Sequence, residues 1–260
     1  MEPLKISFAG AGRVAEALCT GFFRRGHHIV QISSRGVERG TRLAAMCNAE
    51  WIDNLHFNIP VDIIIVAVPD NTLARVLSLI KCGNDSVVAH TAGSFGLELF
   101  PPSLTSAGVF YPLQTFSYGR KNELAGIPFF LEASGEKEMN ILKSLASSVS
   151  GRVFEFDTSR RRYLHLAAVF ACNFTNHMIT LAKQISSRTD IPFDVFTPLI
   201  TETVKKAIEE GPEVSQTGPA VRNDTGTIKK HLELLSFSEE LKKIYEDITN
   251  SISDLYRKNE

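Results

Sequence analysis

A pair of glycines near the N-terminus constrains the fold of this chain more than any other feature. Residues 4–9 form a short apolar run, and Gly10, Gly12 and Ala15 follow it in the spacing G-x-G-x-x-A. In such a turn the first glycine permits a sharp bend, the second lets the backbone approach a pyrophosphate, and the third small residue keeps the next helix close to the strand. Because the pattern lies between a predicted strand and a predicted helix, it indicates a dinucleotide-binding turn. The alternative is a glycine turn with a purely structural role.

The N-terminal part of the chain alternates between strand-like and helical patterns. Apolar residues at helical spacing in 14–25 and a strand-like run at 29–33 complete one βαβ unit after the glycine turn. The run VDIIIVAV at 61–68 is typical of a central parallel strand covered on both faces. Further strands are predicted at 86–90, 108–111, 129–132 and 152–156, and further helices at 41–47, 72–80 and 136–148. This alternation predicts an α/β fold with a doubly wound parallel sheet, a Rossmann fold.

The pattern changes in the C-terminal part. From residue 159 onward we find helical periodicity and no strand-like run. We therefore predict a Rossmann domain over residues 1–157 and an all-α domain over residues 158–260. Within the second domain, the segment EGPEVSQTGPAVRND at 210–224 is rich in Gly, Pro and polar residues. It is long for a plain connection, and long loops inside compact domains are often functional.

Bulk properties exclude several classes of partner. The formal net charge of -1 gives no electrostatic reason to expect nucleic acid or an anionic membrane. The longest apolar runs fall well short of the ~20 residues that span a bilayer, and the N-terminus lacks the pattern of a signal peptide.

No His, Asp or Glu cluster has metal-ligand spacing, so no metal is predicted. The four cysteines are scattered without a C-x-x-C pair, which suits a reducing compartment. We expect a cytoplasmic protein.

The end of the second strand indicates which nucleotide binds. An NAD enzyme usually carries an acidic residue there, whereas this chain has Ser33, Ser34 and Arg35 and no acid before Glu38. Two hydroxyls and a guanidinium form a suitable bed for a 2′-phosphate, so NADP is favoured as cofactor over NAD. The alternative is a solvated arginine in a surface loop. The remaining predicted cofactor contacts come from the glycine turn and from the end of the central strand: Arg13, Val14, Val68 and Pro69.

Several motifs resemble known families. The sequences GAGRVAEAL at 10–18 and AVPD at 67–70 resemble a broad group that includes pyrroline-5-carboxylate reductase, ketopantoate reductase and the deazaflavin-dependent NADP oxidoreductases. Four later stretches resemble bacterial proteins with a Rossmann-like domain and an uncharacterised helical C-terminal domain, the DUF2520 family. These stretches are residues 90–94, 111–117, 165–173 and 217–224.

The resemblance covers nearly the whole chain. It implies a two-domain oxidoreductase-like protein that forms a homodimer through its helical domain, and it implies no particular substrate. In the last motif, Asn223 stands where glycine is commoner in the family. This departure leaves the local backbone conformation open, although Asn tolerates positive φ better than most residues.

The candidate catalytic residues are His90, His165 and Asn173. His90 ends a predicted strand, and His is the natural acid or base at neutral pH; the alternative is a histidine bonded to backbone. His165 and Asn173 are eight residues apart on a predicted helix, about 80° around its axis. In the related hydroxyacid dehydrogenases a lysine precedes the equivalent asparagine by one turn and acts as the acid. Val169 stands there in this chain, so His165 is the first replacement candidate.

The candidate substrate-binding residues are Ser94, Gln114, Arg222 and Asp224. Arg222 and Asp224 suit an anionic substrate or its carboxylate, and the alternative is an Arg–Asp pair that fixes the loop. The first functional hypothesis is an NADP-dependent oxidoreductase that reduces a C=O or C=N bond of a small polar substrate. The missing lysine keeps a second hypothesis open, a non-catalytic dinucleotide-binding sensor or scaffold protein.

Overall fold

The computed structural model describes residues 2–119 and 123–257, and the chain divides into two compact units. The first unit ends at Asn173 and the second begins at Phe174. Each unit has its own architecture.

The first unit is built on one eight-stranded sheet. Its strands are β1 (Lys5–Ala9), β2 (His28–Ser33), β3 (Glu50–Ile52), β4 (Ile63–Val66), β5 (Val87–His90), β6 (Ala107–Pro112), β7 (Phe129–Ala133) and β8 (Val153–Glu155). The strand order is β3-β2-β1-β4-β5-β6-β7-β8. All neighbouring strands are parallel except β6 and β7, which pair antiparallel. The predicted Rossmann fold is confirmed, with one antiparallel step and the short strand β3 that the sequence pattern did not predict.

The described residues of the first unit form the α-helices α1 (Arg13–Arg24), α2 (Val37–Met46), α3 (Asp70–Leu79), α4 (Glu136–Val149) and α5 (Thr158–Ala168). They cover both faces of the sheet. In β4, Ile63 and Ile65 join the core that also contains residues of α1, α2 and α4, while Ile64 and Val66 join the core that contains residues of α3. Burial on both faces explains why this strand is apolar at every position rather than at every second one.

Helix α5 packs as part of the first unit, beyond the expected boundary near residue 157. Arg161 of α5 is fully buried and pairs with Glu132 on β7, with Nη1 and Oε2 2.5 Å apart. Its Nη2 donates a hydrogen bond of 2.6 Å to the carbonyl oxygen of Phe95, in the loop after β5. These bonds fasten α5 to the sheet, so the compact unit continues to Asn173. Helical periodicity alone does not show which unit a helix packs against.

The second unit is helical, in agreement with the sequence. After α5 the chain forms a π-helix over Val169–Phe174. The helices that follow are α6 (Thr175–Ser186), α7 (Thr197–Glu210), α8 (Pro212–Ser215), α9 (Thr225–Leu234) and α10 (Glu239–Arg257). Asn223 has φ 52°, so it adopts the left-handed conformation, which Asn tolerates better than most residues. Within residues 2–119 and 123–257, no helix has both the length and the apolar character needed to cross a bilayer.

Candidate functional site

A cleft of about 940 Å³ lies in the first unit at the carboxyl ends of the parallel strands. Strands β1, β2 and β4 end at the same edge because they run in the same direction. This edge is where open α/β sheets bind ligands. The cleft is lined by the glycine turn, by the ends of β2 and β4, and by residues of α3, including Gly10, Gly12, Ser34, Arg35, Val68 and Pro69.

The two glycines of the turn have different structural roles. Gly10 has φ +119°, and a β-carbon there would collide with the carbonyl oxygen of Ala67 on the neighbouring strand end. Gly12 precedes α1, and a β-carbon there would meet no atom within 4 Å. No side chain caps the N-terminus of α1. The N–H groups of its first turn can therefore donate hydrogen bonds to an anion. Open space beside uncapped N–H groups fits the pyrophosphate of a dinucleotide.

The residues that follow Gly12 take two positions. Arg13 is exposed, and its guanidinium lies 5.5 Å from the ring centroid of Tyr118. Val14 packs against the core beneath α1. Arg13 therefore places a positive charge at the surface, while Val14 helps to pack α1 against the core.

The two serines at the end of β2 use their hydroxyl protons within the protein. Ser33 is buried, and its hydroxyl donates to the carbonyl oxygen of Asn54 at 2.6 Å. Ser34 donates to the carbonyl oxygen of Gly36 at 3.1 Å and accepts from Trp51 Nε1 at 3.1 Å. Both hydroxyls therefore help to hold the turn in shape. Both serines also line the cleft with Arg35, so their contact with a 2′-phosphate stays a prediction.

The cleft is also lined by cationic and aromatic residues that were not predicted from the sequence. Arg39 and Arg75 join Arg35 on its lining, and Arg39 Nη1 donates to the hydroxyl of Tyr118 at 3.1 Å. Three guanidinium groups in one cleft suit the phosphates of a dinucleotide. Arg39 lies in the first turn of α2, directly after the β2 end, and this position was a signal available in the sequence. Tyr118 comes from the segment after β6, and its place in the cleft is set by the tertiary fold.

His90 contacts backbone atoms in this fold. It is fully buried, its Nδ1 accepts a hydrogen bond from Ala92 N at 3.2 Å, and its Nε2 lies 3.4 Å from the carbonyl oxygen of Gly96. Its ring stacks on Phe100 at a centroid distance of 5.4 Å. Burial lowers the pKa of His90 to about 4, so the ring is neutral near pH 7. Both ring nitrogens thus contact backbone atoms, which is the arrangement expected of a structural histidine, and a catalytic role of His90 stays a prediction.

His165 is part of a hydrogen-bonded pair. Its Nδ1 lies 2.9 Å from the hydroxyl of Tyr111, which is on β6, and the two rings meet edge to face. The loop after β5 packs against both rings: a β-carbon on Gly93 would lie 2.7 Å from His165 Nδ1 and 2.9 Å from Tyr111 Cζ. Burial is the main cause that raises the pKa of Tyr111 to about 12. The phenol therefore stays protonated at neutral pH and remains able to donate a hydrogen bond.

Asn173 lies in the π-helix and is exposed. The angle of about 80° between His165 and Asn173 assumed an α-helix throughout. A π-helix closes its hydrogen bonds from i to i+5, which places the residues after Val169 in a different rotation about the axis. The shared face predicted from the spacing therefore does not follow for this pair. Such π segments are frequent at functional sites, and nothing in the sequence signalled this one.

The four candidate substrate-binding residues differ in the hydrogen bonds that they already make within the protein. The Ser94 carbonyl oxygen accepts from Arg162 Nε at 2.9 Å, and Gln114 Oε1 accepts from Thr115 N at 2.8 Å. Asp224 caps α9 and accepts from the backbone N and the hydroxyl of one residue, Thr227, at 3.0 and 2.7 Å. These bonds are the main reason that the pKa of Asp224 is lowered. The carboxylate is thus engaged as a helix cap, and Arg222 is exposed beside it.

In the described part of the chain, no group of three or more His, Cys, Asp or Glu side chains is arranged to hold a metal ion.

Comparison with known proteins gives two family matches. Residues 5–93 match the family described as NADP oxidoreductase, coenzyme F420-dependent. Residues 127–252 match the family described as a domain of unknown function, DUF2520. The comparison with curated proteins gives no match.

Three solved structures illustrate the likeness. A putative NADP oxidoreductase from Bacteroides fragilis is 38% identical, with a TM-score of 0.89, over 97% of this chain and 98% of that one. Protein TM1727 from Thermotoga maritima is 22% identical, with a TM-score of 0.72, over 98% and 99%. A 1-pyrroline-5-carboxylate reductase from Streptococcus pyogenes is 17% identical, with a TM-score of 0.61, over 97% and 99%. The last two show the fold alone.

The resemblance drawn from the sequence motifs is therefore confirmed, and so is NADP as the cofactor at the level of the family. The 38% identity extends over almost the full length of both chains, and the cleft has the glycine turn and the arginines that such a cofactor needs. The chain belongs to the family of NADP oxidoreductases represented by the Bacteroides fragilis protein, with an F420-dependent-type N-terminal region and a DUF2520 C-terminal region.

Proposed function

We propose that the chain is an NADPH-dependent reductase that acts on a C=O or C=N bond of a small polar substrate. The observation that carries the proposal is the cleft at the carboxyl edge of the sheet, which combines an open glycine turn with three arginines. An apolar strand end, Val68 and Pro69, forms another part of the same lining. Phosphate-binding and apolar surfaces in one cleft match the two chemical characters of a nicotinamide dinucleotide.

The residues divide the binding of the cofactor between them. The uncapped N-terminus of α1, beside Gly12, holds the pyrophosphate. Arg35 and Arg39 pair with the 2′-phosphate, because a guanidinium matches phosphate oxygens with two parallel hydrogen bonds. Val68 and Pro69 exclude water from the side of the cleft next to β4. NADPH, when bound, supplies the hydride.

His165 provides the proton in this proposal. Reduction of a C=O or C=N bond adds a hydride to carbon and a proton to oxygen or nitrogen, so a proton donor is needed at the same edge of the sheet. His165 is held there by Tyr111, which lies near the carboxyl end of β6. It takes the part that the missing lysine has in the related hydroxyacid dehydrogenases.

Calorimetric titration with NADPH and, separately, with NADH tests the cofactor assignment. We expect tighter binding of NADPH, and we expect Arg39→Ala to weaken NADPH by roughly 10- to 100-fold, the scale of one charge-assisted hydrogen bond, while NADH is unaffected. Arg42→Ala is the matched control, because Arg42 is on the same helix but pairs with Glu16 at 2.8 Å. Preferred binding of NADH would overturn the 2′-phosphate assignment.

Turnover is tested separately from binding. A screen of small carbonyl and imine compounds with NADPH, followed by absorbance of the nicotinamide, distinguishes a reductase from a sensor. Oxidation of NADPH that is lost in His165→Gln supports the reductase. Tight binding of NADPH without oxidation by any compound of either class would favour the sensor or scaffold hypothesis. Absence of binding to either nucleotide would exclude both.

We also propose that the protein is a homodimer through its helical unit. Helix α7 has no buried residue, and it exposes Leu199 and Ile208 by 63% and 78%. Val214 and Leu234 in the same unit are exposed by 78% and 73%. So many large apolar side chains in contact with water are typical of a surface that another chain covers. A second copy of this chain is the occupant that the resemblance implies.

Light scattering after size-exclusion chromatography tests the dimer. Ile208→Glu places a charge at the most exposed apolar side chain of α7, and we expect it to shift the protein toward a monomer. Glu209→Gln, at the neighbouring exposed position, is the control and is expected to leave the dimer intact. A wild-type monomer at micromolar concentration would contradict the proposal.

A further inference from the structure

We propose that Tyr111 is a positioning residue for His165, which keeps Nδ1 of the imidazole permanently hydrogen-bonded and confines proton exchange to Nε2. The pairing is a property of the fold. Only its use in delivering a proton to a substrate rests on the proposed function.

The geometry holds the histidine ring from two sides. Tyr111 reaches it from β6 with its hydroxyl 2.9 Å from Nδ1, and the ring centroids are 5.8 Å apart at an angle of 76°. Gly93 approaches both rings so closely that any side chain there would overlap them. The ring of His165 therefore has little freedom to turn over and exchange its two nitrogens.

The chemistry of a phenol suits both protonation states of the ring. A neutral imidazole has one nitrogen that accepts and one that donates, while an imidazolium donates from both. The Tyr111 hydroxyl oxygen accepts from the Nδ1–H of the charged ring, and it still accepts from Nδ1–H in the neutral ring that remains when Nε2 has given up its proton. Nδ1 thus stays engaged in either state, and Nε2 is the nitrogen that loses or gains the proton.

The pair lies near the carboxyl edge of the sheet, the same edge along which the cleft lies. Strand β6 pairs with β5 up to Val109 opposite His90, so Tyr111 lies beyond the paired region toward the carboxyl edge. The negative charge of Asp70, which follows Pro69 of the cleft lining, contributes to the raised pKa of Tyr111. Arg161 and Cys172 are the other ionisable groups that act on Tyr111.

Nitrogen-15 NMR of the histidine side chains in the full chain tests the proposal, because long-range 1H–15N spectra report which ring nitrogen has the proton. His165→Gln assigns the signal. At alkaline pH we expect wild-type His165 to hold its proton on Nδ1, where the Tyr111 oxygen accepts it, and to leave Nε2 unprotonated. In Tyr111→Phe we expect a mixture of the two tautomers, because the hydrogen bond that holds the proton on Nδ1 is lost.

A second histidine–tyrosine pair provides the matched control. In the helical unit, His231 Nδ1 lies 2.9 Å from the hydroxyl of Tyr245, so Tyr245→Phe removes the same type of bond. It is expected to alter the His231 signal and to leave His165 unchanged. NADPH binding by Tyr111→Phe is expected to stay within about twofold of wild type, since no phosphate contact is lost.

The outcomes separate the two proposals. An unchanged tautomer of His165 in Tyr111→Phe would overturn the positioning role. A changed tautomer in a protein that binds no NADPH would leave the positioning role standing and overturn the proposed function. If a substrate from the screen is turned over, Tyr111→Phe is expected to lower kcat and move the pH profile while KM for NADPH stays near wild type.

Discussion

The two glycines of the turn predict opposite responses to the same substitution, and Gly12→Ala is the more informative of the two. Gly12 has φ -81° and ψ -174°, which any residue adopts, and an added β-carbon meets no atom within 4 Å. The free energy of unfolding is therefore expected to stay the same or to rise by about 0.4–1 kcal/mol, through reduced entropy of the unfolded chain. The methyl group would occupy the space that the pyrophosphate needs.

The expected loss of affinity follows from the contacts displaced. One charge-assisted hydrogen bond from the first turn of α1 contributes about 1.5–3 kcal/mol, which corresponds to roughly 10- to 100-fold in Kd. Both NADPH and NADH contain the pyrophosphate, so Gly12→Ala should weaken them equally. This outcome differs from that of Arg39→Ala, which should weaken NADPH alone.

Gly10→Ala is the matched comparison. At φ +119° a residue with a β-carbon is strained by about 1–3 kcal/mol, and the β-carbon also overlaps the Ala67 carbonyl oxygen. We therefore expect Gly10→Ala to lower the free energy of unfolding measured by urea denaturation, even without cofactor. For Gly12→Ala, calorimetric titration with NADPH at a temperature where the variant is folded measures the loss of affinity. Wild-type affinity for NADPH in a folded Gly12→Ala protein would refute the placement of the pyrophosphate at this turn.

Two further predictions concern stability. Glu132→Gln leaves the fully buried Arg161 without its counter-charge and should cost about 3 kcal/mol by urea denaturation, whereas Glu155→Gln, in the exposed pair with Lys143, should cost less than about 0.5 kcal/mol; equal costs would contradict the buried-pair reasoning. The folded pKa of His90, about 4, lies below its unfolded value of 6.5, so the unfolded state binds more protons between them and stability should fall by about 3 kcal/mol as pH drops through that window. His90→Asn should flatten this part of the stability curve, and a curve unchanged by that substitution would show that His90 is not its source.

The sheet was readable in the sequence because its signals are local. The apolar run of β4 and the glycine turn after β1 have patterns that depend on neighbours in the chain. Strand β3 was missed because its three residues are too few for a pattern. The antiparallel pairing of β6 with β7 was missed because strand direction depends on the connection, and the described part of that connection contains only the 3-10 turn Leu124–Gly126.

The candidate cofactor site was predicted in outline, and the structure adds its detail. The sequence placed Ser33 and Arg35 at the end of β2, and the structure has them there. It did not show that the Ser33 hydroxyl faces inward to Asn54, or that Arg39 and Tyr118 share the cleft with Arg35. The direction of a side chain at a strand end depends on what packs beside it, and strand pattern alone does not contain that information.

By itself, the sequence determined the order of the elements, the position of the glycine turn and the family, because periodicity, turn chemistry and motif spacing are properties of contiguous residues. Only the tertiary structure decided which polar side chains meet. His165 and Tyr111 are 54 positions apart, and Arg161 bonds Phe95 from 66 positions away. His90 and His165 look equally available as residues in a sequence, but the fold buries one between backbone partners and leaves the other with Nδ1 bonded to a phenol. The physical reason is that a buried polar group must find a partner, and long-range packing brings that partner within reach.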